Sequence, residues 1–151
     1  MIPLELIKQL RGETGAPLLE VRKALETAEG HHDKALSVLK EWAAGKVEKL
    51  ENRETHDGAV VSYIHNGNKV GALLELSSET DFVARNEEFL KLAYEIAMQV
   101  ASMAPENVDT LLSQDYIRDP KRKIADLVKE TSAKFGEKIG VVRFIRFAVG
   151  K

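Results

Sequence analysis

The stretch Ser78–Asn86 lies between an apolar run that predicts a strand and an apolar periodicity that predicts a helix. The preceding run, Val70–Leu76, is dense in apolar residues, which is typical of a buried strand. After the stretch, apolar residues recur at helical spacing from Phe89 to Val100. The chain must therefore turn a tight corner at Ser78–Asn86, hereafter the corner, with ordered structure on both sides.

The first half of the corner predicts a short helical turn. Ser78 and Asp81 have the spacing of a capping box, which would start such a turn and fix the directions of Asp81 and Phe82. A large ring beside a carboxylate then has two interpretations. In the first, Phe82 joins the core and Asp81 only caps a helix. In the second, Phe82 is a rigid probe directed at a partner.

Composition excludes several classes of function. The 151 residues are 44% hydrophobic and 30% charged, which is typical of globular chains with a packed core. A net charge of -2 lacks the basic excess that phosphate binding needs, so no direct nucleic-acid partner is expected. The absence of cysteine excludes disulfides and thiolate chemistry. No signal peptide or long apolar run is found, so a cytoplasmic location without membrane association is expected.

Residues 1–43 contain the start and stop signals of three short helices. Pro3 and Pro17 suit first helical positions, and Gly15 and Gly30 suit helix ends. Three short helices enclose only a small core. The following residues, 44–57, are rich in charges of both signs and predict a solvated helix extension or a linker, where we place the domain boundary.

Residues 58–151 predict an α+β domain. Asn66 and Gly67 separate two strand-like runs and form a strong two-residue hairpin signal. The alternating segment Val141–Val149 predicts a third strand, which gives a small three-stranded antiparallel sheet covered by helices. The predicted helices are Glu87–Met103 and Lys121–Phe135, and the segment Asp109–Pro120 between them predicts a loop with one helical turn.

Leu18 and Leu19 stand together at the predicted start of the second helix. Adjacent helical residues cannot both face one core, so one of the two is expected to be exposed. The alternative is that both are half-buried at a crowded helix start. An exposed apolar pair held by a short connection would form a docking patch.

The sequence contains no recognisable catalytic or ligand motif. It lacks a glycine-rich phosphate loop, and its serines lack a nucleophile motif. The histidines have no metal-ligand spacing, so no metal site and no cofactor are expected. Lys121–Lys123 is a short basic run, interpreted as a solvated helix start. By elimination the chain is not expected to be an enzyme, and its informative features are surfaces for another protein.

Several motifs resemble the bacterial elongation factor Ts family, the guanine-nucleotide exchange factors of elongation factor Tu. The most specific is Glu79–Asn86, with the sequence Glu-Thr-Asp-Phe-Val-Ala-Arg-Asn. Thr14–Ala16 followed by Arg22–Leu25 is similar to the family's N-terminal motif. Leu111–Asp119 and Arg143–Phe147 are similar to its leucine- and glutamine-containing segment and its last strand. The resemblance therefore covers nearly the whole chain.

The chain departs from the family pattern in two places. Longer members carry a further subdomain and a projecting helical hairpin after the central helix, where this chain has only Ala104–Thr110. It therefore resembles a short member with half a core. Other short members suggest a homodimer as compensation, so residues 58–151 are interpreted as a dimerisation and exchange core. Leu18 and Leu19 also stand where methionines are usual, a change that preserves apolar volume.

The resemblance implies a function for the N-terminal domain. It identifies residues 1–43 as a three-helix domain of the ubiquitin-associated type. This domain would dock on the nucleotide-binding domain of elongation factor Tu through Arg11, Leu18 and Leu19. These three residues are hereafter the N-terminal patch.

The resemblance also implies a function for the corner. Asp81 and Phe82, hereafter the probe, would intrude beside the magnesium and phosphate site of elongation factor Tu, with Thr80 and Val83 as neighbouring contacts. The resemblance also changes the interpretation of the Phe82 ring, because we now expect Phe82 to be largely exposed and Val83 to point inward. The competing hypothesis is an adaptor, in which a three-helix module is joined to an oligomerisation domain and nucleotide release is unaffected.

Overall fold

The computed structural model describes residues 1–65 and 67–151. The chain divides into two compact units, Met1–Glu51 and Asn52–Lys151. Among the residues described, no helix combines the length and the apolar character needed to cross a membrane. Asn66, the first residue of the predicted hairpin turn, lies outside the described residues, whereas Gly67 has the positive φ of 86° that such a turn requires.

The first unit consists of three helices, α1 (Leu4–Thr14), α2 (Leu18–Thr27) and α3 (His32–Leu50). Gly15 ends α1 in the left-handed region at φ 67°, where glycine meets no Cβ penalty. The third helix continues to Leu50, so residues 44–50 lengthen α3. A small core holds the helices together, and its buried members are Ile7, Leu10, Val21, Ala24, Leu25, Ala28, Ala35 and Leu39.

A polar contact links α1 to α3. The Nε2 atom of His32 lies 2.9 Å from Glu13 Oε2, and its Nδ1 atom lies 3.1 Å from Asp33 Oδ1. These carboxylates, with the Asp33 hydrogen bond foremost, raise the pKa of His32 above its usual value. The three side chains therefore form a solvated ion-pair cluster.

The second unit is an α+β domain, as predicted. Its strands are β1 (Asp57–Ile64), β2 (Val70–Ser78), β3 (Asp115–Tyr116), β4 (Asp119–Lys123) and β5 (Gly140–Ala148). Its helices are α4 (Asp81–Ala84), α5 (Glu87–Met103), α6 (Val108–Ser113) and α7 (Ile124–Phe135). Strands β1, β2 and β5 form a three-stranded antiparallel sheet with β2 in the centre, which confirms the predicted sheet.

One face of this sheet packs on α5, which begins and ends where the sequence predicted. The helix buries Phe89, Ile96 and Val100 completely. Leu74 and Leu76 of β2 belong to the same core. The residues on the opposite face of the sheet alternate with them, as the two-residue period of a strand requires. That face is largely exposed.

The segment before α7 differs from the prediction. Lys121–Lys123 was predicted as a helix start, but it lies in β4, which pairs with β3. Pro120 disfavours a helical conformation for the residue before it, and Lys123 pairs with Asp115 across the hairpin. The helix begins only at Ile124, where the Asp126 carboxylate accepts the Lys123 N–H at 2.9 Å.

The predicted loop Asp109–Pro120 is more ordered than expected. It contains most of α6, all of β3 and the start of β4. The fully buried Gln99 of α5 holds the hairpin, because its amide donates to the Asp115 carbonyl at 3.0 Å and accepts the Ile117 N–H at 3.1 Å. Beside it, burial and a hydrogen bond to Glu95 raise the pKa of Tyr116 to about 12. The local sequence pattern could not indicate these contacts, because they come from α5, which lies earlier in the sequence.

Candidate partner-binding site

The corner begins where β2 ends at Ser78. The predicted capping box is wrong, because Thr80 and not Ser78 is the N-cap of α4. The Thr80 hydroxyl oxygen accepts the Val83 N–H at 3.3 Å, whereas the buried Ser78 hydroxyl donates to the Thr80 carbonyl at 3.0 Å. Ser78 is still part of the strand, so its side chain faces the core and cannot cap the turn.

A second cap follows directly after α4. The Asn86 side chain accepts the Glu88 N–H at 2.8 Å and starts α5. The Asn86 N–H itself donates to the Val83 carbonyl at 2.9 Å. Two helix starts within seven residues thus leave no free linker between β2 and α5.

The probe side chains point away from the core. Phe82 is 83% exposed, whereas Val83 is 5% exposed and Ala84 is also buried. Successive residues of a helix turn differ in direction by about 100°, so burial of Val83 and Ala84 directs Phe82 outward. The prediction that Phe82 is exposed and Val83 points inward is confirmed, and the interpretation of Phe82 as a core residue is wrong. Val83, which was also expected to be a neighbouring partner contact, offers a partner little surface because it is 5% exposed.

Asp81 carries the exposed charge of the probe. Its carboxylate lies 2.6 Å from Arg85 Nη2, one helical turn further on, and both side chains are more than half exposed. Exposed ion pairs of this kind contribute little to stability. The pair therefore orients the carboxylate without burying it.

A glutamate distant in the sequence binds the backbone at the corner. Glu137 Oε1 accepts the N–H groups of Glu79 and Thr80 at 3.1 and 3.0 Å, and its Oε2 accepts the Thr80 hydroxyl at 2.8 Å. In the other direction, Glu79 Oε2 accepts the Lys138 N–H at 2.5 Å. Glu79 and Glu137, with the groups they accept, are hereafter the clamp. Sequence reasoning missed Glu137, and no local spacing could have connected it to Glu79 and Thr80, which lie 58 and 57 positions earlier.

The clamp has further support on the Glu79 side. Arg53 Nη1 lies 3.3 Å from Glu79 Oε1 and 3.5 Å from the Gly136 carbonyl oxygen. The Glu79 side chain is 18% exposed, so this pair is partly shielded from solvent. The loop after α7 is thus connected to the corner by charge-assisted hydrogen bonds in both directions.

The N-terminal patch flanks the connection between α1 and α2. Arg11 lies in the last turn of α1 and is exposed. Leu18 and Leu19 open α2 and are 49% and 78% exposed. Both leucines are thus exposed, one more than expected, because the α2 core face begins only at Val21. The patch and the corner belong to different units.

Comparison with known proteins decides the family. The family model described as elongation factor Ts matches residues 18–109 and 79–151. The chain belongs to the elongation factor Ts family. This membership confirms the resemblance seen in the sequence motifs and makes the chain an elongation factor of protein biosynthesis.

Individual members of the elongation factor Ts family align over nearly the whole chain. The protein of Thermodesulfovibrio yellowstonii is 37% identical over 194 positions, which cover 99% of this chain and 97% of that protein. The protein of Thermosipho melanesiensis is 36% identical over 196 positions, with both chains fully covered. Both alignments are longer than the 151 residues of this chain, so these relatives carry internal residues that have no counterpart here.

The exposure of Phe82 predicts contrasting effects of two adjacent substitutions. Phe82→Ala should change the free energy of unfolding by less than about 0.5 kcal/mol, because the ring contacts solvent. Val83→Ala should lower it by about 1–3 kcal/mol, because it removes buried methyl groups. Urea denaturation of both variants checks this, and an equal loss in the two would contradict the geometry of the turn.

Proposed function

We propose that this chain is a guanine-nucleotide exchange factor that binds elongation factor Tu in the cytoplasm and promotes release of GDP. Membership of the elongation factor Ts family supports elongation factor Tu as the partner. The observation that carries the mechanism is a large aromatic ring that is 83% exposed on a turn fixed by hydrogen bonds. Burial of such a ring lowers the free energy only when a partner covers it.

Exchange requires differential binding. The factor must bind nucleotide-free elongation factor Tu more tightly than the nucleotide-bound form. By thermodynamic reciprocity, nucleotide then weakens binding of the factor to the same extent. The factor therefore favours neither nucleotide, and the more abundant one, GTP, rebinds.

The probe supplies part of this differential binding. Full burial of the Phe82 ring in a partner pocket contributes about 2 kcal/mol, or about 30-fold in an equilibrium constant. Magnesium requires an octahedral shell of oxygens and waters, so a small displacement of the elements beside this shell weakens binding of the ion. A ring and a carboxylate beside that shell would therefore favour its opening, with Asp81 and Phe82 acting together and Thr80 and Val83 fixing their approach.

The N-terminal patch supplies binding that does not depend on the nucleotide. Leu18 and Leu19 offer exposed apolar area, and Arg11 adds a positive charge at its edge. Binding of this kind raises affinity without changing the rate of release from the complex. The patch and the probe therefore have separable effects.

GDP release from elongation factor Tu tests this division of function. The double variant Asp81→Ala/Phe82→Ala should lower the maximal release rate at least 10-fold, because it removes the side chains that disturb the magnesium site. The variant Leu18→Ala/Leu19→Ala should instead raise the concentration of factor needed for half-maximal release. Met103→Ala serves as the control, since Met103 is an exposed apolar residue at the far end of α5.

Three results would overturn parts of the proposal. No acceleration by the wild-type chain would favour the adaptor. Normal release with the double probe variant would exclude the probe mechanism. An unchanged half-maximal concentration with the leucine variant would exclude the N-terminal patch.

We further propose that two copies of the chain pair through the open face of the three-stranded sheet. This face carries Val60, Ile64, Leu73, Ile145 and Phe147, which are 47–71% exposed. In the sheet register, Leu73 pairs with Ile145, and Phe147 lies opposite Gly71. Packing of two such faces would bury a continuous apolar surface, as in a β-sandwich.

Sedimentation equilibrium tests the homodimer. The wild-type chain should sediment as a dimer, and Phe147→Glu should weaken dimerisation at least 10-fold, because a carboxylate would be buried in an apolar interface. Met103→Glu places the same charge on an exposed residue outside the sheet and should remain dimeric. A wild-type chain that is monomeric at every concentration would contradict the pairing.

A further inference from the structure

The clamp joins the loop after α7 to the corner. Glu137 is not part of the probe or of the N-terminal patch, yet its carboxylate makes three hydrogen bonds to the two residues that precede the probe. From this geometry we infer that Glu137 is a positioning residue for nucleotide exchange. It would hold Asp81 and Phe82 in the direction that the partner requires, and this inference rests on the exchange function proposed above.

Helix α4 is too short to be stable by itself. The helix has four residues, Asp81–Ala84, and a single turn does not repay the cost of fixing its backbone. Its direction must therefore be set by the groups at its start. Two of those groups, the Glu79 and Thr80 N–H, donate to the same oxygen of Glu137.

Glu137 also orients the side chain that caps α4. The Thr80 hydroxyl donates to Glu137 Oε2 and accepts the Val83 N–H. Because donation to the carboxylate orients the hydroxyl, its lone pair faces the first turn of α4. Glu137 thus fixes both the backbone before the probe and the side chain that caps it.

The Glu137 carboxylate extends from a well-ordered stretch of backbone. The Glu137 backbone is held by α7, because the Ser132 hydroxyl donates to the Glu137 carbonyl and Gly136 ends the helix in the left-handed region. The reciprocal bond from the Lys138 N–H to Glu79 adds a second connection between the same two segments. The side chain therefore reaches the corner from a rigid base.

Hydrogen exchange in the free chain tests the positioning directly. In Glu137→Ala, the Thr80 and Val83 amides should exchange about 10-fold faster than in the wild type, because one loses a charge-assisted partner and the other an oriented cap. Glu137→Gln retains one acceptor oxygen for the two N–H groups and should restore most of the protection. Glu106→Ala, an exposed glutamate in the same unit, serves as the control and should change neither amide.

GDP release with elongation factor Tu supplies the second readout. Glu137→Ala should lower the maximal release rate at least 3-fold while the concentration for half-maximal release stays within 2-fold, since the N-terminal patch is intact. Glu137→Gln should recover most of the rate. If Glu137 contributed only to stability, the maximal rate of the folded variant would be unchanged. Thermal denaturation and circular dichroism establish independently that the variant is folded.

The two readouts separate this inference from the function on which it rests. If the wild-type chain does not accelerate release, the exchange function fails, whereas hydrogen exchange still reports whether Glu137 holds the turn. If the wild type accelerates release and Glu137→Ala matches it in both readouts, the positioning role is wrong. If amide protection falls but the maximal rate does not, Glu137 orders the corner without serving exchange, and the inference is also wrong.

Discussion

The orientation of the probe depends on contacts made outside its own helix. A four-residue helix cannot hold its own orientation. Here the Thr80 hydroxyl accepts the Val83 N–H, the Asn86 side chain accepts the Glu88 N–H, and the Glu137 carboxylate accepts the Thr80 N–H. Burial of Val83 beneath the turn supplies the apolar part of the same constraint. The rest of the second unit, from the central strand to the last helix, brings these groups to one place.

An exposed aromatic ring contributes little to the stability of the free chain. The second unit obtains its core elsewhere, mainly from α5 against the sheet, where Phe89 and Ile96 are fully buried. The free energy of covering Phe82 is thus available for a partner. In the proposed exchange reaction it would contribute only when elongation factor Tu adopts its open arrangement, which is the condition for catalysis of release by differential binding.

Local sequence patterns predicted the elements that depend on local signals. The helix α5, the antiparallel sheet and the exposure of Phe82 followed from periodicity, a turn signal and a family motif. The prediction of Ser78 as the N-cap was wrong because Ser and Thr are both good N-cap residues, and only the position at which β2 ends decides between Ser78 and Thr80. The contacts of Glu137 depend on Thr80, which lies 57 positions earlier, and the hairpin of β3 and β4 is held by Gln99 of α5, so no local pattern could indicate them.

In the proposed mechanism, the probe distinguishes two states of elongation factor Tu. Equilibrium titration of the wild type and of Phe82→Ala against the nucleotide-free and the GDP-bound forms measures this most directly. Phe82→Ala should weaken binding to the nucleotide-free form by up to about 30-fold and binding to the GDP-bound form much less. An equal loss of affinity for the two forms would show that Phe82 is only a docking residue and would rule out its role in distinguishing the two states.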